Sequence, residues 1–204
     1  NAYRVSSKFD KHNYEIDPDN IYFWRMNEKR LEAEQIRDSL LFVSGKLDES
    51  HKNISDFQTG IKNSSKELRK YIGETRARSI YIPSLRDNKI EVLDIFDRPD
   101  NSLLNAERSV TTVSTQALFL MNNPKIIALA QEEAKVLLEH NKKMGKTMPN
   151  ILYRNNINKI FLKFLGRPPT EQENKKSIEF IKQDSDLAKL IQIIICTGEF
   201  RNVK

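Results

Sequence analysis

The 204-residue sequence contains one cysteine, six glycines and three histidines. A lone Cys196 excludes an internal disulfide framework and any cysteine-only metal site. The six glycines do not cluster, so no phosphate-cradling loop is present. There is no Gly-x-Ser-x-Gly elbow, and no Cys-x-x-Cys-His for attaching a c-type haem. His12, His51 and His140 are far apart in sequence. No apolar run reaches the length needed to span a bilayer. No leader segment follows Asn1, and the start reads as internal to a longer protein.

Charge is what the chain has in quantity. Lysine and arginine total 34 against 28 acids, a net charge of +6. Residues 141–204 carry 13 bases and 6 acids, so the excess sits in the C-terminal third. Such a bias attracts anionic surfaces or nucleic acid. Lys175, Lys176 and Lys182 are interleaved with Glu171, Glu173 and Glu179, which argues for a solvated helix surface instead.

Apolar periodicity predicts a mainly α fold, a single multi-helix domain. About six or seven helices are expected, with one or two short extended segments. The strongest helix is expected after an Asn27 N-cap, with Ala33, Ile36, Leu40, Val43 and Leu47 on one face. Arg30, Glu34 and Arg37 have the spacing to pair along its flank. Ile21-Tyr22-Phe23-Trp24 is expected to anchor the N-terminal arm in the core. Residues 49–77 read as a lysine-rich surface excursion with a short helix near Ser65–Ile72. Residues 78–83 alternate as an extended segment, Asp87-Asn88 reads as a turn, and a short helix through Val92 and Phe96 follows.

Asn123-Pro124 is a helix start, for a helix facing Ile127, Ala130, Ala134, Leu137 and Leu138 inward. His140 is expected to cap its end. Gly145 and Pro149 mark a loop before a helix over about 150–165. Gly166-Arg167-Pro168-Pro169-Thr170 then stops one helix and, with Glu173, starts the next. Arg167 is expected to bind carbonyls at that corner, or a carboxylate of a partner domain. An apolar helix, 186–196, closes the chain and is expected to bury Cys196.

Two polar groups are candidate sites. Glu34 and Asp38 are one helical turn apart, a spacing suited to acid–base work or a hard cation. Arg37 beside them favours an ion-pair network that fixes helix register. Arg108, Thr111, Thr112 and Gln116 place hydroxyls, an amide and a guanidinium before a helix, where an anion or glycan can bind. Ordinary capping accounts for the same residues. Whether the two groups line one concavity separates a shared site from separate structural devices.

An ordered set of segments carries a family resemblance. It runs Arg30-Leu31-Glu32-Ala33-Glu34, Ile36-Arg37-Asp38, Ser44-Gly45-Lys46-Leu47-Asp48, Arg78-Ser79-Ile80-Tyr81-Ile82-Pro83 and Phe96-Asp97 with Pro99-Asp100. Arg108-Ser109-Val110-Thr111-Thr112-Val113, Thr115-Gln116-Ala117-Leu118-Phe119-Leu120-Met121-Asn122 and Leu165-Gly166-Arg167-Pro168-Pro169-Thr170 complete it. Together these resemble the planctomycete cytochrome-associated PSD-type domain, a C-terminal domain of unknown function in large proteins of Planctomycetes, Verrucomicrobia and marine relatives.

The resemblance implies that residues 1–204 are the C-terminal part of that domain, and that the location is extracytoplasmic. It implies as partners the N-terminal remainder of the same protein or a haem-bearing domain. It supplies no established reaction and no catalytic residues. A Gly- and Pro-rich piece expected after Leu47-Asp48 is replaced by residues 49–77. The expected function is therefore a non-catalytic accessory or interaction module with no cofactor of its own. A polysaccharide or anion site at 108–116 and non-specific nucleic-acid binding are the alternatives.

Overall fold

The computed structural model describes residues 4–53, 65–84, 90–100, 108–143 and 149–203. Among them are nine α-helices, seven of seven or more residues, and one two-stranded sheet. The fold is mainly α, as the periodicity predicts. In chain order the helices are α1 (Lys11–Ile16), α2 (Ala33–Val43), α3 (Ser65–Glu74), α4 (Glu91–Ile95), α5 (Ser114–Asn122), α6 (Pro124–Lys143), α7 (Pro149–Leu165), α8 (Glu171–Phe180) and α9 (Asp186–Cys196). Single 3-10 turns occupy Ser79–Tyr81 and Glu199–Arg201.

The last helix is the hub. Leu187, Leu190, Ile191, Ile194 and Ile195 of α9 are all buried, more than one face of a surface helix supplies. They meet α5, α6, α7 and α8. Ile157, Ile160, Phe161 and Phe164 of α7 and Leu120 of α5 complete this side of the core. Helix α2 contributes Ala33, Ile36, Leu40 and Val43 of the predicted stripe and packs on α4 and the Ser79–Tyr81 turn, whereas Leu47 lies beyond its end and is half-buried.

Helix ends follow local chemistry. The Asn123 side chain caps α6 by accepting from Lys125 N–H at 2.9 Å, with Pro124 in the first turn. Gly166 takes φ +70° after α7. Thr170 and Glu173 form the expected reciprocal cap, Thr170 N–H donating to Glu173 Oε2 at 2.7 Å and Glu173 N–H to Thr170 Oγ1 at 3.3 Å.

Several expectations are overturned. Helix α2 begins at Ala33, not after Asn27, because Lys29–Arg30 (β1) instead pairs antiparallel with Asn202–Val203 (β2). Asn27 accepts from the Asn20 side chain at 3.0 Å. The extended pair is therefore made by segments remote in sequence, and residues 79–81 curl into a 3-10 turn. On α6, Ala130, Ala134 and Leu137 are buried as expected, joined by Ile126 and Leu129, while Ile127 and Leu138 are half-buried. Helix α6 runs past His140 to Lys143, so that histidine does not cap its end. Cys196 is half-buried.

Part of the 49–77 stretch, its described C-terminal end, packs inward. Ile72 and Ala77 lie in the core, and Asp48 bridges Ala77. Residues 54–64, the Asp87-Asn88 turn and residues 144–148 lie outside the described residues.

The aromatic run is also not a core anchor. Ile21, Tyr22 and Phe23 are 68%, 82% and 67% exposed. Only Trp24 packs, its ring edge-on to Phe9 and beneath the Arg25 guanidinium.

Candidate functional site

The two candidate groups separate around the start of α2. Arg37 and Asp38 face the 75–79 segment. Arg37 is buried; it donates to the carbonyls of Thr75 (2.5 Å) and Ala77 (3.0 Å) and to Ser79 Oγ (3.1 Å). Asp38 accepts from Ser79 N–H at 2.9 Å and from its hydroxyl at 2.6 Å. The two also pair directly at 3.3 Å. Burial pushes the Arg37 pKa down, and the Asp38 charge opposes that fall. Every polar atom named here binds chain to chain, so this pair is a clasp joining α2 to a segment forty residues away.

Glu34 does not share that clasp. It turns to Arg108, which donates to its two oxygens at 2.7 and 3.4 Å and approaches Glu32 at 3.2 Å. The hydrogen bond to Glu34 raises the Arg108 pKa. The expected pairing of Glu34 with Arg30 and Arg37 along one helix does not form, since Arg30 precedes the helix.

The polar hub of this flank is Asp97, which the sequence reading did not single out as a site residue. It is half-buried and left-handed, φ +68°, at the end of α4. It accepts from Thr111 N–H (2.9 Å), Thr111 Oγ1 (2.7 Å) and Arg30 Nη1 (3.2 Å). Arg30 Nη1 also donates to the Thr111 carbonyl, and its guanidinium lies 5.7 Å from the Phe96 ring centroid. Gln116 is fully buried and donates to Ile95 carbonyl at 3.1 Å. Thr112 is exposed and takes no part in these contacts.

Arg30, Glu32, Asp97 and Arg108 line a cavity of about 210 Å³ with Glu28, Lys29, Phe96, Ser109 and Val110. The residues before α2 and the 108–110 segment thus converge on one concavity, while Arg37 and Asp38 do not. The signal for the hub was available: Arg30 and Asp97 both belong to the segments quoted above. Pairwise spacing along one helix concealed it, because their separation is 67 residues.

A third ionic knot sits at the α7–α8 corner. Arg167 donates to Glu173 (2.7 and 2.8 Å) and to Glu199 (both 2.8 Å), and its guanidinium lies 5.7 Å from the Phe161 ring centroid. It also donates to the carbonyl of Pro168 at 3.1 Å. Its carboxylate partners are within the chain, unlike the expected partner-domain contact. The Arg167 hydrogen bonds hold the Glu173 carboxyl down at about 2.

Among the described residues no group of three His, Cys, Asp or Glu side chains is arranged to hold a metal ion. No described helix is long and apolar enough to cross a membrane.

These features define a class: a mainly helical domain with one short two-stranded sheet. More particularly, the chain belongs to the PSD1 family, described as a protein of unknown function (DUF1553), whose model matches residues 1–181. No curated protein and no solved structure matches it.

Proposed function

We propose that this chain is a non-catalytic docking module of a larger extracytoplasmic protein. It seats against the N-terminal remainder of that protein or against a haem-bearing domain. The loop over residues 17–25 carries this reading.

That loop is rigid. Asp17, itself buried, accepts from the N–H groups of Ile21 (2.9 Å) and Tyr22 (2.8 Å), and its carbonyl accepts from Trp24 Nε1 at 2.9 Å. Asn20 donates to Arg25 carbonyl at 2.7 Å and accepts from Arg25 N–H at 3.2 Å. Phe23 is held at φ +55°, a conformation costing a bulky residue about 1 kcal/mol. A loop with this many internal hydrogen bonds nevertheless holds three large apolar side chains in water. Strained, pre-ordered and apolar is the description of an interface anchor.

The candidate polar residues support the same reading, since Glu34, Arg37, Asp38 and Arg108 are engaged with one another and with backbone. The glycan alternative draws less support because Gln116 is fully buried. The nucleic-acid alternative loses Lys163, Arg167 and Lys189 to carboxylates.

The test compares residues 1–204 with the double variant Tyr22→Ser, Phe23→Ser. Light scattering and hydrophobic-dye fluorescence are expected to show self-association or dye binding that the variant loses, with its melting temperature unchanged. A wild-type chain that stays monomeric and binds no dye would count against docking.

A further inference from the structure

A second cavity, of about 460 Å³, opens beside the C-terminal half of α2 and shares no lining residue with the concavity around Arg30. Its walls come from α2, the end of α3, the start of α4, the end of α5 and the first turns of α6. The volume falls within the range of small-molecule sites, about 300–1,000 Å³. Leu40, Ile90, Ile126 and Leu129 belong to the buried core and also line it. Protein interiors leave few voids larger than a water, and water against apolar walls lacks the polar partners that order it. Polar groups of the wall are spent on the chain itself. Ser44 Oγ donates to the Leu41 carbonyl at 2.8 Å, and the Asn123 side chain donates to Glu91 at 3.2 Å and accepts from Lys125 N–H at 2.9 Å.

The charges of the wall are biased. Among the described residues that line it, Arg37, Lys46, Arg76 and Lys125 are cationic, against Glu74 and Glu91. Arg37 and Lys46 are matched by Asp38 and Glu132, neither of which lines the cavity. Arg76 and Lys125 are exposed, and neither side chain has an ion pair or hydrogen bond among the described residues. Glu91 is held by Asn123, and Glu74 is exposed.

We propose that this cavity binds a small amphiphile, an apolar chain ended by a carboxylate. The chain covers Leu40, Ile90, Ile126 and Leu129, a burial that contributes about 25 cal/mol per Å² of apolar surface. The carboxylate meets Arg76 and Lys125, which are already at the surface, so its charge is offset without being taken out of water. The cavity shares no residue with the docking loop over 17–25, and either reading can fail alone.

The experiment titrates the full chain with decanoate below its micelle concentration, beside decan-1-ol and decyltrimethylammonium. Calorimetry reads affinity and stoichiometry, and methyl NMR follows Ile126 and Leu129. Decanoate is expected to saturate at one per chain and to move those methyl resonances along the same curve. It is expected to bind about tenfold tighter than the ammonium. Arg76→Gln with Lys125→Gln is expected to weaken decanoate about tenfold and to leave decan-1-ol unchanged. Ala128→Trp, at an exposed helix position that lines the cavity, is expected to block both. The Tyr22→Ser, Phe23→Ser variant is expected to bind as the wild type does; a loss there moves the ligand to the docking loop and overturns the cavity site. Absence of saturable decanoate binding overturns the proposal, as does equal affinity for the ammonium, or decanoate binding untouched by Ala128→Trp or by the double glutamine variant. Should a variant lose its helicity, the wild-type resonances decide: methyl groups that stay fixed through the titration overturn the proposal.

Discussion

Replacing Glu173 by glutamine tests how much the α7–α8 corner depends on charge. Arg167 holds the Glu173 carboxyl at about 2, against an ordinary value of 4.5. The folded state therefore favours the ionised form. The carboxylate contributes stability above pH 4.5, and that stability is lost as pH falls toward 2. The displacement corresponds to a ceiling of about 3 kcal/mol. The side chain is 35% exposed, and solvent screening reduces the expected contribution to about 1–1.5 kcal/mol. Glu173→Gln leaves Arg167 its two bonds to Glu199, so no guanidinium is orphaned and the loss stays in this range. Urea unfolding of both proteins at steps from pH 7 to pH 2 gives the curve. At pH 7 the variant lies about 1–1.5 kcal/mol below the wild type. The gap closes through the window from 4.5 to about 2, and the two converge at its lower end. A gap that stays constant from pH 7 to the acid end would refute the electrostatic account and leave only the cap geometry.

Two further outcomes follow from the same structure. Arg37→Met removes the buried clasp on Thr75, Ala77 and Ser79 and leaves Asp38 without its cation. Urea denaturation is expected to show a loss of about 3–5 kcal/mol, and a loss under about 1 kcal/mol would contradict the role given to Arg37. Gly166→Ala meets no atom within 4 Å of its new Cβ, so only the left-handed backbone resists it. The cost is about 1 kcal/mol, read as a small drop in melting temperature, and an unchanged or raised value would contradict it.

The division between what was legible in the sequence and what was not follows the range of the forces involved. Helix α2 announced itself because burial of Ala33, Ile36, Leu40 and Val43 is a consequence of their spacing alone. The Thr170–Glu173 cap and the Gly166 stop were equally readable, each being decided within four residues. The start of α2 was not. Its N-terminal approach is diverted by pairing with residues 202–203, a partner some 170 positions away that no local pattern encodes. The same distance hid Asp97 as the partner of Arg30, and gave Glu34 to Arg108 instead of to its helical neighbours.

The aromatic run at 21–24 shows the opposite failure. Apolar character by itself predicts burial, yet the Asp17 and Asn20 side chains fold the loop so that three of its four residues face solvent. Composition and periodicity by themselves determined a mainly helical chain, its strongest helix and its sharpest corner, because those depend on burial and capping within a turn or two. Which charges meet and which aromatic residues stay outside were decided only by the tertiary structure. The charge pairs join segments remote in sequence, and the exposed aromatics depend on side-chain bonds inside their loop, neither of which hydrophobic periodicity encodes.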